Sequence, residues 1–441
     1  MHSQYRRTTR TTGRSARRLT SLGIAAALGA GLLSGCAGDG GSTSEDGKVT
    51  VSVGLFGTFG FKEAGLYDEY ERLNPDIVIQ ENVTAENADY YPALLNHLTA
   101  GAGLQDVQAV EVGNIKEVAT LQADKFVDLA EAPGVRKNHW LDWKWEQAKT
   151  EDGKVIGLGT DTGPMAVCYR KDLFEKAGLP TGREEVSKLW ADDWGRYIDA
   201  GEIYAENAPS GTSFMDSASG LYNGAVSSYA ERYYDEDGEV IYQDSEAVRT
   251  SWDLAMRAAE GKLTARLQQF TPEWDQAYAN GDFATVVCPA WMLGYIESKA
   301  GAKNADRWDV ADAPRPGNWG GSFLAVPENA KNREEAIKLA TWLTAPEQQA
   351  TLFQKRGSFP SSGTAFGLPE VEDATHAYYG DAPTGKIFTE AAEGIPVQVL
   401  GPKDQIIAET LAKGIRQVEK QGKSPDEGWD SAVKSIDNAI G

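Results

Sequence analysis

Residues 48–56, KVTVSVGLF, decide the fold because they open a regular alternation of strand and helix. Apolar and polar residues alternate along them, as in a half-buried strand. A helical segment follows at 62–75 and ends at an Asn-Pro pair. Two more strand-like segments, at 76–83 and 106–115, enclose a second helical segment at 90–103. This β-α-β-α-β order predicts an α/β fold with parallel strands and helical crossovers.

The positions of the strand ends predict where a ligand would bind. In open parallel sheets, ligands lie outside the carboxyl ends of the strands. The loops at 56–61, 82–87 and 111–115 are therefore the first candidate binding loops.

The later part of the chain continues the α/β pattern. Residues 155–180 read as a strand, a break at Asp161-Thr162-Gly163-Pro164, a second strand and a helix. Residues 282–300 predict a strand that turns into a helix, and 318–361 predict a strand followed by two helices. The middle and the C-terminal end are predicted to be largely helical.

Residues 1–35 are typical of an export signal. They carry six arginines and no acidic residue, and then a run of about 15 small and apolar residues that is shorter than a membrane span. Arg17-Arg18 leaves both the Sec and the twin-arginine route open. The run ends in Leu33-Ser34-Gly35-Cys36, which resembles the lipobox of bacterial lipoproteins and predicts lipidation at Cys36. The alternative is a chance cysteine in a discarded leader.

Residues 36–47, rich in Gly, Ser and acids, predict a flexible tether. Removal of 1–35 changes the formal net charge from −22 to −28, because six arginines leave and no acid does. So acidic a protein repels nucleic acid and anionic lipid, and is poorly suited to phosphate-rich ligands.

Two cysteines, Cys168 and Cys288, remain beside Cys36 in the exported chain. An even pair in an oxidising compartment makes a disulfide plausible. Two separately buried thiols are the alternative, and the sequence leaves both open.

The first loop, in VSVGLFGTFGF at 51–61, has glycines at 54, 57 and 60. This spacing matches neither the G-x-G-x-x-G of dinucleotide sites nor the P-loop pattern. Phe56, Gly57, Thr58 and Phe59 are instead suited to a sugar ring, whose C–H faces pack on aromatic side chains. The alternative is that the phenylalanines belong to the core.

Aromatic residues beside chain breaks are the next candidates. Trp291 stands in CPAWMLG, Trp319 precedes Gly320 in GNWGGS, and Trp274 stands in TPEWDQ. Large rings beside Gly or Pro are more readily presented than packed, although partial burial is common. The block WLDWKWEQA at 140–148 is interpreted as a structural aromatic helix face.

Polar partners for sugar hydroxyls would come from loop acids and amides. The full set of further ligand-binding candidates is Glu111, Asn114, Asp161, Phe214, Asp216 and Arg356. A carboxylate can accept two hydroxyls, and charge-assisted hydrogen bonds are strong. Each acid could equally be a solvated surface charge.

Motifs of catalysis and metal binding are missing from the sequence. It contains no H-E-x-x-H, C-x-x-C or G-x-S-x-G, and its four histidines are scattered. DEDGEV at 235–240 fits a β-turn better than it fits a calcium-binding loop. We expect no metal and no cofactor, while acid pairs for glycoside hydrolysis stay open among 65 acidic residues.

Four segments together resemble the extracellular solute-binding proteins of ABC importers, in the group that contains maltose-binding protein. They are YYPALLNHLTAGAGLQDVQAVE, GTDTGPMAVCYRKDLFEKAGLP, FATVVCPAWMLGYI and WGGSFLAVPENAKNREEAIKLATWLTAPEQQ. With the lipobox they span nearly the whole chain in order. The sequence is most similar to actinobacterial cellobiose- and cello-oligosaccharide-binding lipoproteins, and departs from the maltose binders in its first and third loops.

The resemblance implies a type II periplasmic-binding-protein fold of two α/β lobes around a ligand cleft. Lobe 1 would hold 48–162 plus 320–358, and lobe 2 would hold 163–319 plus 359–441. The crossings would lie near 160–165, 319–322 and 356–361. It also implies that Trp291 stacks on the ligand, that Gly57, Thr58, Phe59 and Asp161 contact it, and that Cys168 and Cys288 lie on neighbouring strands.

The function implied is a lipid-anchored receptor on the outer face of the cell membrane that delivers a neutral oligosaccharide to permease subunits. The expected protein is a monomer without enzymatic activity and without a nucleic-acid partner. A secreted glycoside hydrolase is one alternative. A receptor for another sugar or a peptide is the other, although a peptide carboxylate needs a cation and only Lys62 and Arg356 lie near the predicted cleft loops.

Overall fold

The structure is a computed structural model that describes residues 47–441. The predicted leader at 1–35, the predicted lipidation site Cys36 and residues 36–46 of the predicted tether lie outside the described residues. Among the helices of 47–441, none combines the length and the apolar composition that crossing a membrane requires.

Nine strands in the described region form two sheets. They are β1 (Val49–Phe56), β2 (Ile77–Thr84), β3 (Val107–Glu111), β4 (Leu158–Gly159), β5 (Met165–Arg170), β6 (Ser213–Met215), β7 (Phe283–Pro289), β8 (Trp308–Asp312) and β9 (Ser322–Ala325). The first sheet has the order β2-β1-β3-β9-β4, and the second has the order β6-β7-β5-β8. Lobe 1 below means the first sheet and the elements packed on it, and lobe 2 means the second sheet and its elements.

Helices make up most of the rest of residues 47–441. The α-helices are α1 (Leu66–Leu73), α2 (Asn87–Ala100), α3 (Val112–Leu121), α4 (Asp142–Gln147), α5 (Lys171–Lys176), α6 (Arg183–Trp190), α7 (Trp194–Asn207), α8 (Ala218–Val226), α9 (Glu246–Glu260), α10 (Pro272–Asn280), α11 (Met292–Ala300), α12 (Arg333–Leu343), α13 (Pro346–Arg356), α14 (Gly363–Phe366), α15 (Pro369–Glu372), α16 (Thr384–Glu393), α17 (Asp404–Gln421) and α18 (Pro425–Ile440). Short 3-10 helices lie at Ala123–Lys125, Lys137–His139, Ala302–Asn304 and Ala377–Tyr379. The predicted helical middle and C-terminal end are confirmed.

Local sequence signals fix several helix ends. Ser424 accepts a hydrogen bond from the Glu427 N–H, and the Glu427 carboxylate accepts one from the Ser424 N–H, which closes a capping box before α18. Thr271 caps α10 by accepting from the Trp274 N–H, and Gly281 ends that helix in the left-handed region.

The first sheet confirms the predicted β-α-β-α-β start. β1 pairs in parallel with β2 along its whole length and in parallel with β3, while β9 runs antiparallel between β3 and β4. Because β1, β2 and β3 are parallel, their carboxyl ends at Phe56, Thr84 and Glu111 share one edge of the sheet. This edge faces the cleft described below.

The second sheet carries the disulfide. β5 is antiparallel to both β7 and β8, and β6 is parallel to β7. Cys168 on β5 and Cys288 on β7 are bonded, with their Cα atoms 5.7 Å apart. Cys168 is opposite Val286 and Cys288 is opposite Ala166, so the two cysteines are diagonal neighbours on one face. The disulfide is thereby confirmed over the alternative of two separate thiols.

Alternate residues of β5 enter two different apolar clusters. Ala166 and Cys168 pack with α10, α11 and α16, and Val167 and Tyr169 pack with α5, α6 and α7. This alternation follows from the two-residue period of a strand. Lobe 2 therefore holds its sheet between two helical layers, which keeps the end of β7 in a fixed position.

Three chain segments run side by side between the lobes. The Thr162 N–H donates to the Phe359 carbonyl at 2.8 Å, and the Trp319 N–H donates to the Gly163 carbonyl at 2.8 Å. The Gly163 N–H donates to the Asn318 side-chain oxygen at 2.8 Å. These bonds join the segment before β5, the segment before β9 and the segment after α13 into one narrow connection.

Candidate ligand-binding cleft

A cleft of about 1460 Å³ lies between the two lobes beside the crossing segments. Residues of both lobes line it. Ten of the predicted ligand-binding residues are among them: Phe56, Gly57, Thr58, Phe59, Glu111, Asp161, Trp291, Trp319, Gly320 and Arg356. The fold therefore brings together residues that are more than 200 positions apart in the sequence.

The first loop presents two phenylalanines to the cleft. Phe56 and Phe59 are half-buried, and their rings meet edge-on with centroids 5.3 Å apart. Phe56 also contacts Tyr90, whereas Phe61 is fully buried in the core of lobe 1. Gly57, with φ 58°, turns the chain directly after β1. The loop thus offers ring edges to a ligand while the core supports them from behind.

The last turn of α13 packs against this first loop. A side chain at Gly60 would lie 2.9 Å from Cγ of Arg356, so the arginine stem crosses the loop at this point. The neighbouring Lys355 ammonium donates to the Ala64 carbonyl at 2.6 Å. Arg356 consequently reaches the cleft from lobe 1.

Two carboxyl groups flank one position of the central strand β9. Glu111, the last residue of β3, is paired across with Ser322, and its Oε2 accepts from the Gly113 N–H at 2.6 Å. Asp161 follows β4, and its Oδ1 accepts from the Ser322 N–H at 2.9 Å and from the Thr160 hydroxyl at 2.6 Å. Within residues 47–441, Oε1 of Glu111 and Oδ2 of Asp161 accept no hydrogen bond. We call this pair the carboxylate wall.

Burial governs the ionisation of the carboxylate wall. It raises the pKa of Glu111 to about 7, and the carboxylates of Asp161 and Glu409 add to the effect, while the Gly113 N–H and the Lys144 ammonium oppose it. Burial also raises the pKa of Asp161, and Lys144 again opposes the change. Glu111 therefore titrates in the physiological range, where a carboxyl group can change from acceptor to donor.

Lys144, behind this wall, is a residue that the sequence did not reveal. It lies on α4, is fully buried, and its ammonium makes no hydrogen bond with any described residue. The surrounding block does have the predicted structural role, because Trp140 and Trp145 are buried in lobe 1. Nothing in the local pattern separates Lys144 from an ordinary surface lysine.

Three rings form the opposite side of the cleft, which we call the aromatic wall: Phe270, Trp291 and Tyr295. Trp291 follows β7, and its ring lies at 26° to that of Phe270 with centroids 6.3 Å apart. Tyr295, one turn into α11, meets Phe270 edge-on at 6.0 Å. The Trp291 Nε1–H donates to the Trp319 carbonyl at 3.1 Å, which fixes the indole on the crossing segment.

Phe270 and its neighbour Gln269 were missed by sequence reasoning. Phe270 is 40% exposed and has φ 63°, a left-handed conformation that is uncommon outside glycine. Gln269 lines the cleft and its Nε2 donates to Asp216 Oδ2 at 2.8 Å. The only sequence signal was their place before the α10 cap, which does not indicate that this turn faces a cleft.

Four predicted contact residues lie away from the cleft surface: Asn114, Phe214, Asp216 and Trp274. Trp274 is fully buried and donates its Nε1–H to Asp216 Oδ2 at 2.9 Å. Phe214 packs inside lobe 2, and Asn114 is buried where it accepts from the Asn87 amide at 2.9 Å. Their predicted contact with the ligand is withdrawn, because burial occupies these side chains with protein partners. Asp216 acts on the cleft only through Gln269.

Two glycines let the crossing segment pass between the walls. Gly320 and Gly321 have φ 95° and 103°. A side chain at Gly321 would lie 2.8 Å from the Asp161 carbonyl oxygen, and one at Gly320 would lie 3.0 Å from Trp291 Nε1. Both the conformation and the close approach require glycine here.

The charges that line the cleft are mainly acidic. Among the described lining residues, seven are acidic (Glu86, Glu111, Asp161, Glu297, Asp373, Asp404 and Glu409) and five are basic (Arg232, Lys355, Arg356, Lys413 and Arg416). Arg232 pairs with Asp404 at 3.0 Å. Residues 47–441 contain no group of three His, Cys, Asp or Glu side chains placed to hold a metal ion.

The family model described as bacterial extracellular solute-binding protein matches residues 65–378. A crystal structure of an extracellular solute-binding protein of family 1 is 38% identical, with a TM-score of 0.79, over 89% of this chain and 100% of that one. The fold is also similar, at 19% identity and a TM-score of 0.74, to the ABC transporter associated binding protein from B. animalis subsp. lactis Bl-04 in complex with beta-1,6-galactobiose, over 88% of this chain and 96% of that one.

A curated relative is similar over a shorter length. The lactose-binding protein of Rhizobium radiobacter is 25% identical over 237 residues, which are 50% of this chain and 54% of the relative. The chain thus spans just over half the length of this relative.

Proposed function

This chain belongs to the bacterial extracellular solute-binding proteins, and from that premise we propose that it is the substrate-binding component of a carbohydrate ABC importer. It binds a neutral oligosaccharide in the cleft between the lobes and performs no chemistry on it. Hinge closure around the sugar then creates the form that docks on permease subunits in the membrane.

One observation carries the proposal: an aromatic wall faces a carboxylate wall across the cleft. The apolar face of a sugar ring packs on indole and phenyl rings, while its hydroxyls donate to fixed oxygens. Glu111 Oε1 and Asp161 Oδ2 are acceptors without protein donors in the described region. The cleft thus combines the two surfaces that a pyranose ring needs.

The charge of the lining supports a neutral ligand. An anionic ligand would meet more carboxyl groups than cations in this cleft. Arg232 is already paired with Asp404, and Lys355 already donates to a backbone carbonyl. Of the five lining cations, Arg356, Lys413 and Arg416 remain, against seven carboxyl groups, so a peptide carboxylate would meet a lining with more acids than bases.

For the sugar itself we propose cellobiose or a cello-oligosaccharide. The support is the resemblance of the sequence to cellobiose-binding lipoproteins, together with the shape of β-linked glucose. Its equatorial hydroxyls leave both ring faces apolar, which suits the near-parallel rings of Trp291 and Phe270. A volume of about 1460 Å³ exceeds the usual range of about 300–1,000 Å³ for small-molecule pockets, which favours a ligand of more than one ring.

We further propose that a diacylated Cys36 anchors the protein on the outer face of the cell membrane. The support is the Leu33-Ser34-Gly35-Cys36 sequence after an apolar segment. Two acyl chains hold a protein on a membrane stably, whereas one does so only marginally. The test is mass spectrometry of the mature N-terminus, which should show a lipid on Cys36 and none in Cys36→Ser.

The test of the ligand is a thermal-shift panel of di- to tetrasaccharides on the purified chain without residues 1–36. A ligand at 100 times its Kd stabilises the folded state by about 2.7 kcal/mol, which gives a clear shift. Cellobiose or cellotriose should raise the melting temperature, and maltose, xylobiose and a tripeptide should not. A shift with the tripeptide alone would overturn the sugar proposal, and a shift with maltose alone would overturn the cellobiose assignment.

Chromatography of the recovered sugar separates binding from hydrolysis. We expect cellotetraose to be returned intact after long incubation with the protein. Release of glucose or cellobiose that disappears in Glu111→Gln would instead identify a glycoside hydrolase, with that carboxyl group as a catalytic residue.

A further inference from the structure

Lys144 is a buried cation that the ligand-binding proposal leaves unexplained. Its side chain is fully buried on α4, and its ammonium makes no hydrogen bond with any residue of 47–441. A buried charge without hydrogen-bond partners is costly, so such a group calls for a physical reason. Its nearest described contact with a ring is Phe323 on β9, whose centroid is 3.9 Å from Nζ.

The first sheet leaves room for this lysine. A side chain at Gly159 on β4 would lie 2.8 Å from Lys144 Cγ, and one at Gly321 before β9 would lie 3.0 Å from Lys144 Nζ. The same position at Gly321 would be 2.8 Å from the Asp161 carbonyl oxygen. Two glycines on neighbouring chain segments therefore make the space that the lysine stem and ammonium occupy. The ammonium therefore lies beside the chain at Gly321, which also approaches the backbone of Asp161.

The charges that act on Lys144 and on the carboxylate wall come from three elements. Asp161 after β4 and Glu111 at the end of β3 attract the ammonium, and Glu409 on α17 acts on Glu111 from lobe 2. Lys144 is the cation that acts on both carboxyl groups of the wall. It therefore opposes burial, which favours their protonated forms.

We propose that Lys144 is a positioning residue that holds Glu111 and Asp161 as carboxylate acceptors for ligand hydroxyls. This inference rests on the proposed function, because it assigns the wall its role in binding. Lys144 does not line the cleft and does not touch the ligand. It acts through the field of its charge, which favours the ionised forms of two neighbouring carboxyl groups against the effect of burial. Burial lowers the pKa of Lys144 itself to about 8, so this field is present below that pH.

A dependence of binding on pH follows. Hydrogen bonds from hydroxyls to a carboxylate are stronger than those to a neutral carboxyl group. Affinity should therefore rise with pH near 7 as Glu111 loses its proton, in the range where the Lys144 ammonium is still charged. Loss of the lysine charge should move the rise to higher pH, because the Lys144 ammonium lowers the pKa of both carboxyl groups.

The experiment compares Lys144→Met with the parent chain and with Lys149→Met, a matched lysine that is partly exposed and, within residues 47–441, forms an ion pair with Glu146 alone. One measurement follows the Glu111 carboxyl carbon by ¹³C NMR through a pH titration without ligand, with Glu111→Gln to assign the signal. The other measures cellotriose affinity by calorimetry from pH 5.5 to 9. Circular dichroism and thermal melting confirm that each variant is folded.

We expect the Glu111 titration midpoint to rise by at least 1 pH unit in Lys144→Met and to stay unchanged in Lys149→Met. The rise of cellotriose affinity with pH should move to higher pH by the same amount in Lys144→Met. A midpoint that does not move in folded Lys144→Met overturns the inference. If Lys144→Met does not fold, Lys144→Gln gives the second test: loss of the ammonium should again raise the Glu111 midpoint, and an unmoved midpoint in the folded variant overturns the inference.

The two readouts separate the inference from the proposed function. A shifted midpoint with no affinity for cellotriose, lactose or maltotriose in the parent chain contradicts the sugar-binding function and the hydroxyl-acceptor role, while the electrostatic effect of Lys144 stands. Normal sugar affinity with an unshifted midpoint and profile contradicts the role of Lys144 alone.

Discussion

The two walls of the cleft are built in different ways. The carboxylate wall lies at the carboxyl end of β3 and just after β4; the Gly113 N–H at the start of α3 fixes Glu111, and the Ser322 N–H of β9 fixes Asp161. The rings of the aromatic wall lie on a turn with positive φ and at the start of α11, and Phe270 packs against the other two rings. Sheet geometry thus positions the polar contacts, whereas side-chain packing positions the apolar ones.

This difference teaches what each wall can contribute to binding. Fixed carboxylates give direction and select hydroxyl positions, and their strength depends on pH. Stacked rings give area with little directional demand, and their contribution depends on neither pH nor salt. The contributions of the two walls to binding can therefore be told apart, because variants of the carboxylate wall should change affinity in a pH-dependent way and variants of the aromatic wall should not.

The largest effect is expected from Trp291→Ala, which removes the indole ring of the aromatic wall. A buried aromatic contact of this kind contributes about 2 kcal/mol or more, so cellotriose affinity should fall about 30-fold at every pH. Calorimetry at pH 6 and pH 8 measures this fall in cellotriose affinity. Trp429→Ala, on α18 and outside the cleft lining, is the matched control and should bind as the parent does. Parental affinity in Trp291→Ala would remove the stacking role.

Glu111→Gln is expected to have a smaller effect on cellotriose affinity, and one that depends on pH. Above pH 7 the glutamate is ionised, and a hydrogen bond to a charged group is worth about 1.5–3 kcal/mol, so affinity at pH 8 should fall about tenfold or more. As the pH falls below 7 the parent chain takes up a proton and its affinity should approach that of the variant. Exposed Glu151→Gln serves as control. An affinity gap that stays constant from pH 5.5 to 8 would contradict the role of this carboxylate.

The smallest effect is expected from the ion pair that joins the lobes beside the cleft. Lys403 lies 2.9 Å from Glu117, and both are partly exposed. Exposed pairs contribute about 0.2–1 kcal/mol, so Lys403→Met should weaken cellotriose binding about twofold in low salt and not at all in 1 M salt. Lys386→Met, in the exposed pair with Glu390, should have no effect. A tenfold loss that survives high salt would show that closure depends on more than charge.

Much of the fold could be predicted from the sequence, but lobe 1 could be predicted more fully than lobe 2. The parallel start could be predicted because alternating apolar residues and glycine or proline breaks mark each strand, and strand ends then located Phe56 and Glu111. Trp291 could be predicted because it stands just after a strand. The cysteine pair needed the antiparallel register of β5 and β7, which no local pattern specifies.

The errors have a common physical cause. Trp274 and Phe270 are four residues apart beside the same helix start, and both are aromatic. Whether such a ring faces the cleft or the core depends on one backbone conformation, the positive φ of Phe270, and on the buried acceptor Asp216 that takes the Trp274 N–H. The burial of Lys144 could not be predicted for a similar reason, since it depends on Gly159 and Gly321, which are far apart in the sequence. Tertiary packing decides these positions.

The most direct test of the account is a crystal structure of the mature chain grown with cellotriose. We predict one glucose ring stacked on Trp291, its hydroxyls within hydrogen-bond distance of Glu111 Oε1 and Asp161 Oδ2, and the lobes closed around it. Cellotriose bound with its rings away from Trp291 and its hydroxyls away from both carboxylates, or a cleft that stays empty at saturating sugar, would contradict it.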